Sequence, residues 1–445
     1  MDARNRVPAK ALPLICIGVF ILIGPAAAAR PTLTTLYQFA GTSGDGDGFG
    51  PKAALVIGAN GVLYGTTLWG GIANCPGPPT CGTVFSLTPP VSAGAPWTET
   101  VIHAFAGGAD GYWPSAALAI GSGGVLYGVA TGGGAAGYGG IVFALAPPTT
   151  PGGAWSEAIL HSFPGGTGSD GAGPVGALVI GDRGVLYGTT ESGGSYGGGT
   201  AFSLTPPAQT GGPWIESVLW SFGNGGDGAD VLGGLTIGDG GVLYGTTAQG
   251  GAAGLGTVFS LTPPSVAGEP WTEAVLHSFA GPDGENPGLG TLVTSPGGVL
   301  YGTTEYGGAE SGGGGTVFSL TPPAAPGGSW TETVLYGFRF NSGDVPFDGV
   351  VRNSTTGALY GATSGGGATS RSMGTVFQLT PPASPGGPWT YTDLHSFLPG
   401  KGFSNPDGIA PWAGVVIGPD HTLYGTTSGQ YLTITINGGT VFSLQ

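Results

Sequence analysis

Histidine is the side chain best suited to general-base or metal-ligand work near neutral pH. Four of the five histidines recur in one setting: His103, His161, His277 and His395 each stand two residues before a phenylalanine, in segments of the type Trp-Thr-Glu-Thr-Val-Leu-His-Ser-Phe. In the remaining copies of that segment the same position holds Tyr37, Trp220 and Tyr336. A base or ligand does not tolerate exchange for tryptophan, whereas a planar packing residue does, so the set reads as packing. His421 stands apart in a Pro-Asp-His turn and reads as a surface residue. Glu99, Glu157, Glu216, Glu273 and Glu332 repeat in the same segments, with Tyr391 in a further copy. Repeated around a periphery, they cannot converge on one substrate and are expected to form a solvated face.

Aspartates mark the loop after each such segment: Asp45 and Asp47, Asp110, Asp170, Asp227 and Asp230, Asp283, Asp344 and Asp348, and Asp407. Asp-Gly is turn chemistry, yet a ring of loop carboxylates also attracts cations, with Ca²⁺ the candidate because it takes oxygen ligands. Asp45-Gly-Asp47-Gly is the best local pair, although it lacks the length of a calcium loop. Trp69, Trp113, Trp412 and Tyr431 lie off the repeated pattern. Exposed aromatics beside carboxylates suit stacking on sugar rings, and equally suit sealing the mouth of a channel. Glu191 and Glu305 open two further loops and offer the paired carboxylates of glycoside hydrolysis, but they sit two repeats apart.

The elements that must position these residues are themselves repeats. Gly-Val-Leu-Tyr-Gly-Thr-Thr or a near copy places its tyrosine at Tyr64, Tyr127, Tyr187, Tyr244, Tyr301, Tyr360 and Tyr424. Gly-Thr-Val-Phe-Ser-Leu-Thr-Pro-Pro recurs around Phe85, Phe143, Phe202, Phe259, Phe318, Phe377 and Phe442. The tryptophan-led segment appears from Trp97, Trp155, Trp214, Trp271, Trp330 and Trp389, with a diverged copy at 32–39. A short Ala-Leu-Val-Ile type element precedes each tyrosine motif. Each piece is rich in β-branched and aromatic residues and bounded by Gly or Pro, as strands are. The unit is therefore four strands in about 60 residues. The last unit lacks its fourth strand, and 32–39 supplies it, which closes a ring and hides both edges. The expected fold is all-β: a seven-bladed β-propeller over residues 30–445, with the small-residue strand innermost.

Composition agrees with this reading. Gly (96) and Pro (38) are abundant while charged residues make only 8% of the chain. Without a period that would suggest disorder, but 40% of residues are hydrophobic and the glycines fall at repeated turns. Residues 1–29 read as a signal peptide: Arg4, Arg6 and Lys10, an apolar core from Leu12 to Gly24, then Ala26 to Ala29. No second stretch reaches membrane-span length. After cleavage, 24 acids (25 less Asp2) face 7 bases (10 less Arg4, Arg6 and Lys10), a net −17 that makes nucleic acid and anionic lipid poor partners. Of the cysteines only Cys75 and Cys81 then remain, and in an oxidising compartment they are expected to form a disulfide.

The Gly-x-x-Tyr-Gly-Thr-Thr, Gly-Gly loop, Gly-Thr-Val-Phe and Ser-Phe/Asp-Gly series resembles the GloVer tandem-repeat family of exported bacterial proteins, described as choice-of-anchor proteins. The resemblance covers nearly all of 32–445 and implies a secreted, periplasmic or cell-surface location. It brings no catalytic residues. Members often carry a C-terminal sorting tail, whereas this chain stops at Gln445 within a strand, so anchoring by that route is not expected.

Catalysis needs a few unlike residues at one point, and this sequence is nearly symmetric. The leading expectation is a non-catalytic scaffold that binds a glycan, peptide or protein on its loop face. The alternative is a carbohydrate-active hydrolase or lyase using acids at the channel mouth.

Overall fold

The structure is a computed structural model. The described residues are 31–445 except 41–45, 73–74, 76–79, 93, 136–137, 151, 167, 210, 267, 309–312, 326, 385, 399–406, 432–433 and 436–437; the side chains of 430–437 are also left undescribed. The chain divides into Met1–Arg30 and Pro31–Gln445. The expected signal peptide lies in the first part, outside the described residues.

Pro31–Gln445 is a seven-bladed β-propeller of four-stranded antiparallel sheets. In the first blade the strands run Val56–Ile57, Leu63–Thr67, Thr83–Thr88 and Thr98–Ala104, from the axis outward. The inner strand keeps only two ladder residues, fewer than the Ala-Leu-Val-Ile pattern suggests. The turn to the second strand carries left-handed backbone at Asn60 (φ 58°) and Gly61 (φ 74°), as a tight hairpin requires. In the last blade Val416–Ile417, Leu423–Thr427 and Thr440–Leu444 are completed by Leu33–Gln38. Leu33 pairs with Leu444 and Gln38 with Thr440. The threonine Thr426 donates to the Ala53 carbonyl, 373 residues away, and so ties the last blade to the first.

The core is a set of seven junctions between blades. At each, a phenylalanine just past one outer strand meets the third-strand phenylalanine of the next blade, as in Phe105–Phe143 (5.2 Å) and Phe39–Phe85 (5.1 Å). Both partners are fully buried or nearly so, where truncating one Phe to Ala costs about 3–5 kcal/mol. Across six junctions a second-strand tyrosine also meets the next blade's tryptophan edge-on, as in Tyr64–Trp155 (6.0 Å). The glycine after each such tyrosine makes room for the ring: a Cβ on Gly65 would lie 2.6 Å from Phe85 Cζ. Between second and third strands, buried threonine pairs such as Thr67–Thr83 (2.8 Å) satisfy each other.

One irregularity governs what the outer strands present. In every full copy the ladder between third and outer strands slips by one residue, so Val84 pairs with His103 but Phe85 with Val101. Glu99 and His103 are four apart, and a regular strand would put them on one face. The bulge sends them to opposite faces. Each blade thus offers its glutamate to the preceding blade and its histidine, or equivalent, to the following one.

This corrects the expected solvated face. Glu99, Glu157, Glu216, Glu273 and Glu332 are half-buried at the junctions, each with a buried carboxyl oxygen that has no hydrogen-bond partner. No helix among the described residues is long and apolar enough to cross a membrane.

Candidate functional site

Seven inner strands approach the axis, and the residue three before the buried aliphatic of each would form one ring if the repeat held. Read off in register, that position is Lys52, Ser115, Val175, Leu232, Leu289, Phe347 and Trp412. Elsewhere the seven copies agree closely; here only the two leucines, Leu232 and Leu289, match. Most of these residues line a cavity of about 590 Å³ at the axis, together with Trp69, Trp113 and Asp348. That volume lies within the usual range for small-ligand sites, which are concave, mainly apolar and carry a few polar groups.

The three off-pattern tryptophans therefore meet at one place. Trp69 follows the second strand of the first blade and stacks on Phe49 (5.7 Å), held by paired backbone bonds between those two residues. Gly50 clears its ring, since a Cβ there would lie 2.6 Å from Trp69 Cε3. Trp113 has left-handed backbone (φ 62°), and its N–H donates to the Cys81 carbonyl at 2.9 Å. Cys81 is joined to Cys75 by a disulfide, with 5.9 Å between Cα atoms. The indole Nε1 of Trp113 is buried and has no hydrogen-bond partner. Trp412 stacks face to face on Phe347 at 4.4 Å.

Lys52 sits between two of these indoles, its Nζ 4.0 Å from the Trp412 ring centre and 4.8 Å from that of Trp69. Cation–π attraction of this kind is worth about 0.5–2 kcal/mol, rising with desolvation. Burial holds the Lys52 ammonium pKa below its ordinary value. Asp348 accepts backbone N–H bonds from Gly414 (2.7 Å) and Gly349 (2.8 Å). Its burial raises the carboxyl pKa, and those two bonds oppose the rise. Tyr431, expected beside the tryptophans, has a side chain outside the described set.

The loop aspartates do not gather at the axis. Each of five is engaged by the outer strand that precedes it. Tyr37 Oη donates to Asp47 (2.9 Å) and Trp220 Nε1 to Asp227 (3.2 Å). His161 Nε2 bonds Asp170 (3.2 Å) and His277 Nε2 bonds Asp283 (2.9 Å). His103 Nε2 stands 3.4 Å from Asp110. Tyr, Trp and His are interchangeable at this position because each is a flat ring with a donor at its far edge. His395 lies 3.8 Å from Asp407. At the sixth position Tyr336 stacks instead on Tyr391 (4.5 Å), and the Asp344 carboxyl accepts from the Val345 backbone N–H. Asp45 lies outside the described residues.

The next blade's glutamate completes each group and is electrostatically altered by it. Burial, and then the Asp170 carboxylate, push the Glu216 pKa up to about 8. Burial and Asp110 push Glu157 to about 8; burial and a nearby aspartate push Glu99, Glu273 and Glu332 to about 7. Of the two loop-opening acids, Glu305 is driven to about 7 by burial alone. Glu191 is raised by burial and Asp230. The described interactions do not link these two acids. His421, expected at the surface, is exposed and bonds Asn353.

Sequence reasoning named the tryptophans, and Asp348 only as one of the loop aspartates; it missed Lys52, the place of Asp348 at the cavity, and the junction groups. The signal for Lys52 was its place at a ring position that six residue types fill across the seven copies.

The family model described as the Gloeobacter/Verrucomicrobia repeat matches residues 25–212 and 140–331. Among solved structures the chain is similar to a candidate 6-phosphogluconolactonase from Bacteroides uniformis (13% identity, 84% of this chain and 93% of that one, TM-score 0.49). It is also similar to PorZ, a surface component of the type-IX secretion system of Porphyromonas gingivalis (14% identity, 90% and 46%, TM-score 0.49). A third is Trypanosoma rangeli sialidase (10% identity, 94% and 59%, TM-score 0.41). No curated protein matches the sequence.

Proposed function

The chain belongs to the Gloeobacter/Verrucomicrobia repeat family, and we propose that it is an exported, non-catalytic propeller scaffold that holds a sugar ring of an extracellular glycan in its axial cavity. The observation that carries this reading is the convergence of Trp69, Trp113 and Trp412 on one cavity. Indole faces stack on the C–H faces of sugar rings. The unpartnered Trp113 Nε1 supplies a donor for a hydroxyl, and a buried donor left unpaired costs about 1–3 kcal/mol until it finds an acceptor. Export rests on the basic, apolar and small-residue series of the first 29 residues.

A hydrolase would need two carboxyls at the bond it cuts. Among the described residues lining the cavity there is one, Asp348, already engaged by two backbone N–H groups. The binding reading is therefore preferred.

The test is a glycan array probed with the full exported chain and with Trp412→Ala, each with Ca²⁺ and with chelator. A glycan retained by the parent and lost by the variant supports the proposal. Equal binding by both, or no binding, overturns it and points to a peptide or protein partner.

A further inference from the structure

We propose that two blade junctions are binding sites for a zinc-type divalent cation: His103, Asp110 and Glu157 between the first and second blades, and His277, Asp283 and Glu332 between the fourth and fifth. Within each group one imidazole nitrogen and two carboxylate oxygens lie within 4.8 Å of one another. These sites are distinct from the axial cavity and independent of its ligand.

In the first group the spacing of the imidazole from both carboxyls favours a cation, although Asp110 and Glu157 are also close enough to share a hydrogen bond. His103 Nε2 lies 3.4 Å from Asp110 Oδ1 and 3.4 Å from Glu157 Oε1. Both separations are long for hydrogen bonds, which centre near 2.9 Å. They match the edge of a tetrahedron around a metal with bonds of about 2.0–2.2 Å, which is roughly 3.3–3.6 Å. His103 Nε2 is buried and has no hydrogen-bond partner, and neither have Glu157 Oε1 and Glu332 Oε1, a state that the glutamates Glu99, Glu216 and Glu273 share. Buried polar atoms are rarely left in that state without a ligand, ion or water to explain them.

The surroundings supply orientation. The Ala106 N–H donates to Asp110 and the Ala280 N–H to Asp283, fixing each carboxylate. Such outer contacts are what metal ligands commonly carry. The three side chains of the first group are each about one-fifth exposed, so water could take the fourth position. An imidazole among three donors suits zinc and its neighbours, whereas Ca²⁺ takes six to eight oxygens.

The other junctions act as controls built into the molecule. Tyr37, Trp220 and Tyr336 replace the histidine at three of them, and Leu33 replaces the glutamate facing His395. His161, Asp170 and Glu216 repeat the residue types but do not draw together as closely.

The test strips the full chain with chelator and titrates it with Zn²⁺, reading bound metal by mass spectrometry and melting temperature by calorimetry. Two equivalents should bind and raise the melting temperature. His103→Tyr should remove one equivalent and His277→Tyr the other, with little change in the metal-free melting temperature because tyrosine already fills this position at Tyr37 and Tyr336. Glu157→Gln should also remove one equivalent, keeping the test valid if a tyrosine variant misfolds. Failure to bind stoichiometrically, undiminished binding by the double tyrosine variant, or equal binding of Ca²⁺ would each overturn the proposal.

Discussion

Glu157 Oε1 lies 3.4 Å from His103 Nε2, although the two residues belong to neighbouring blades. The relationship exists because a bulge in each outer strand turns its glutamate backward and its histidine forward. Repeated around the ring, it buries an acid at five junctions and couples blade contact to protonation.

Glu216 gives the pH dependence a sign. Its carboxyl titrates near 8 when folded, against 4.5 as the ordinary value. Between those values the folded state holds a proton that the unfolded state releases, so stability is full below about pH 4.5 and is lost as pH rises to about 8. Glu216→Gln, neutral throughout, should flatten this fall and be the more stable protein above pH 8. Urea titrations from pH 5 to pH 9 check this; parallel profiles for parent and variant would show that Glu216 does not carry the effect.

Gly290 tests the crowding at the axis. A Cβ there would lie 1.9 Å from the Gly349 backbone nitrogen of the adjacent blade. Backbone cannot yield as a side chain can, so Gly290→Ala should cost at least the 1–3 kcal/mol typical of overpacking. A thermal melt within 1 °C of the parent would refute the close packing of inner strands.

Ring closure depends on Leu33–Gln38. Removing 31–40 would expose the edge of Thr440–Leu444 and delete Phe39, 1% exposed and packed on Phe85. The truncated chain should melt well below the full one, with a loss of several kcal/mol from that phenylalanine alone. Differential scanning calorimetry of both chains decides it.

Trp412 is expected to matter for binding more than for folding. Trp412→Ala opens the cavity wall and removes one stacking face, so a bound glycan should weaken about tenfold or more, or roughly 1.4 kcal/mol. Isothermal titration with the glycan found on the array measures this.

Lys52 should behave in the opposite way. It is a partly desolvated ammonium set against two indole faces, and buried charge is costly. Lys52→Met keeps the stem and should melt no lower than the parent; a clear drop in melting temperature would mean the cation–π contacts outweigh the burial cost.

The sequence by itself determined the architecture. Seven copies of the tyrosine, phenylalanine and tryptophan motifs define four strands each, and the orphan segment 32–39 identifies how the ring closes. That much was legible because strand patterning and turn chemistry are local. The convergence of Trp69, Trp113 and Trp412 was not, since three separate loops, one in the first blade and two leading into the second and the last, bring them together. Their off-pattern character was visible, but their meeting point was not. The junction groups were hidden for a sharper reason. Glu99 and His103 are four apart, so a regular strand assigns them one face, and the glutamates were expected in solvent. A single bulged residue reverses that assignment, and only pairing with the third strand creates the bulge. Local sequence chose the blades. Contact between blades decided which side chains share a site.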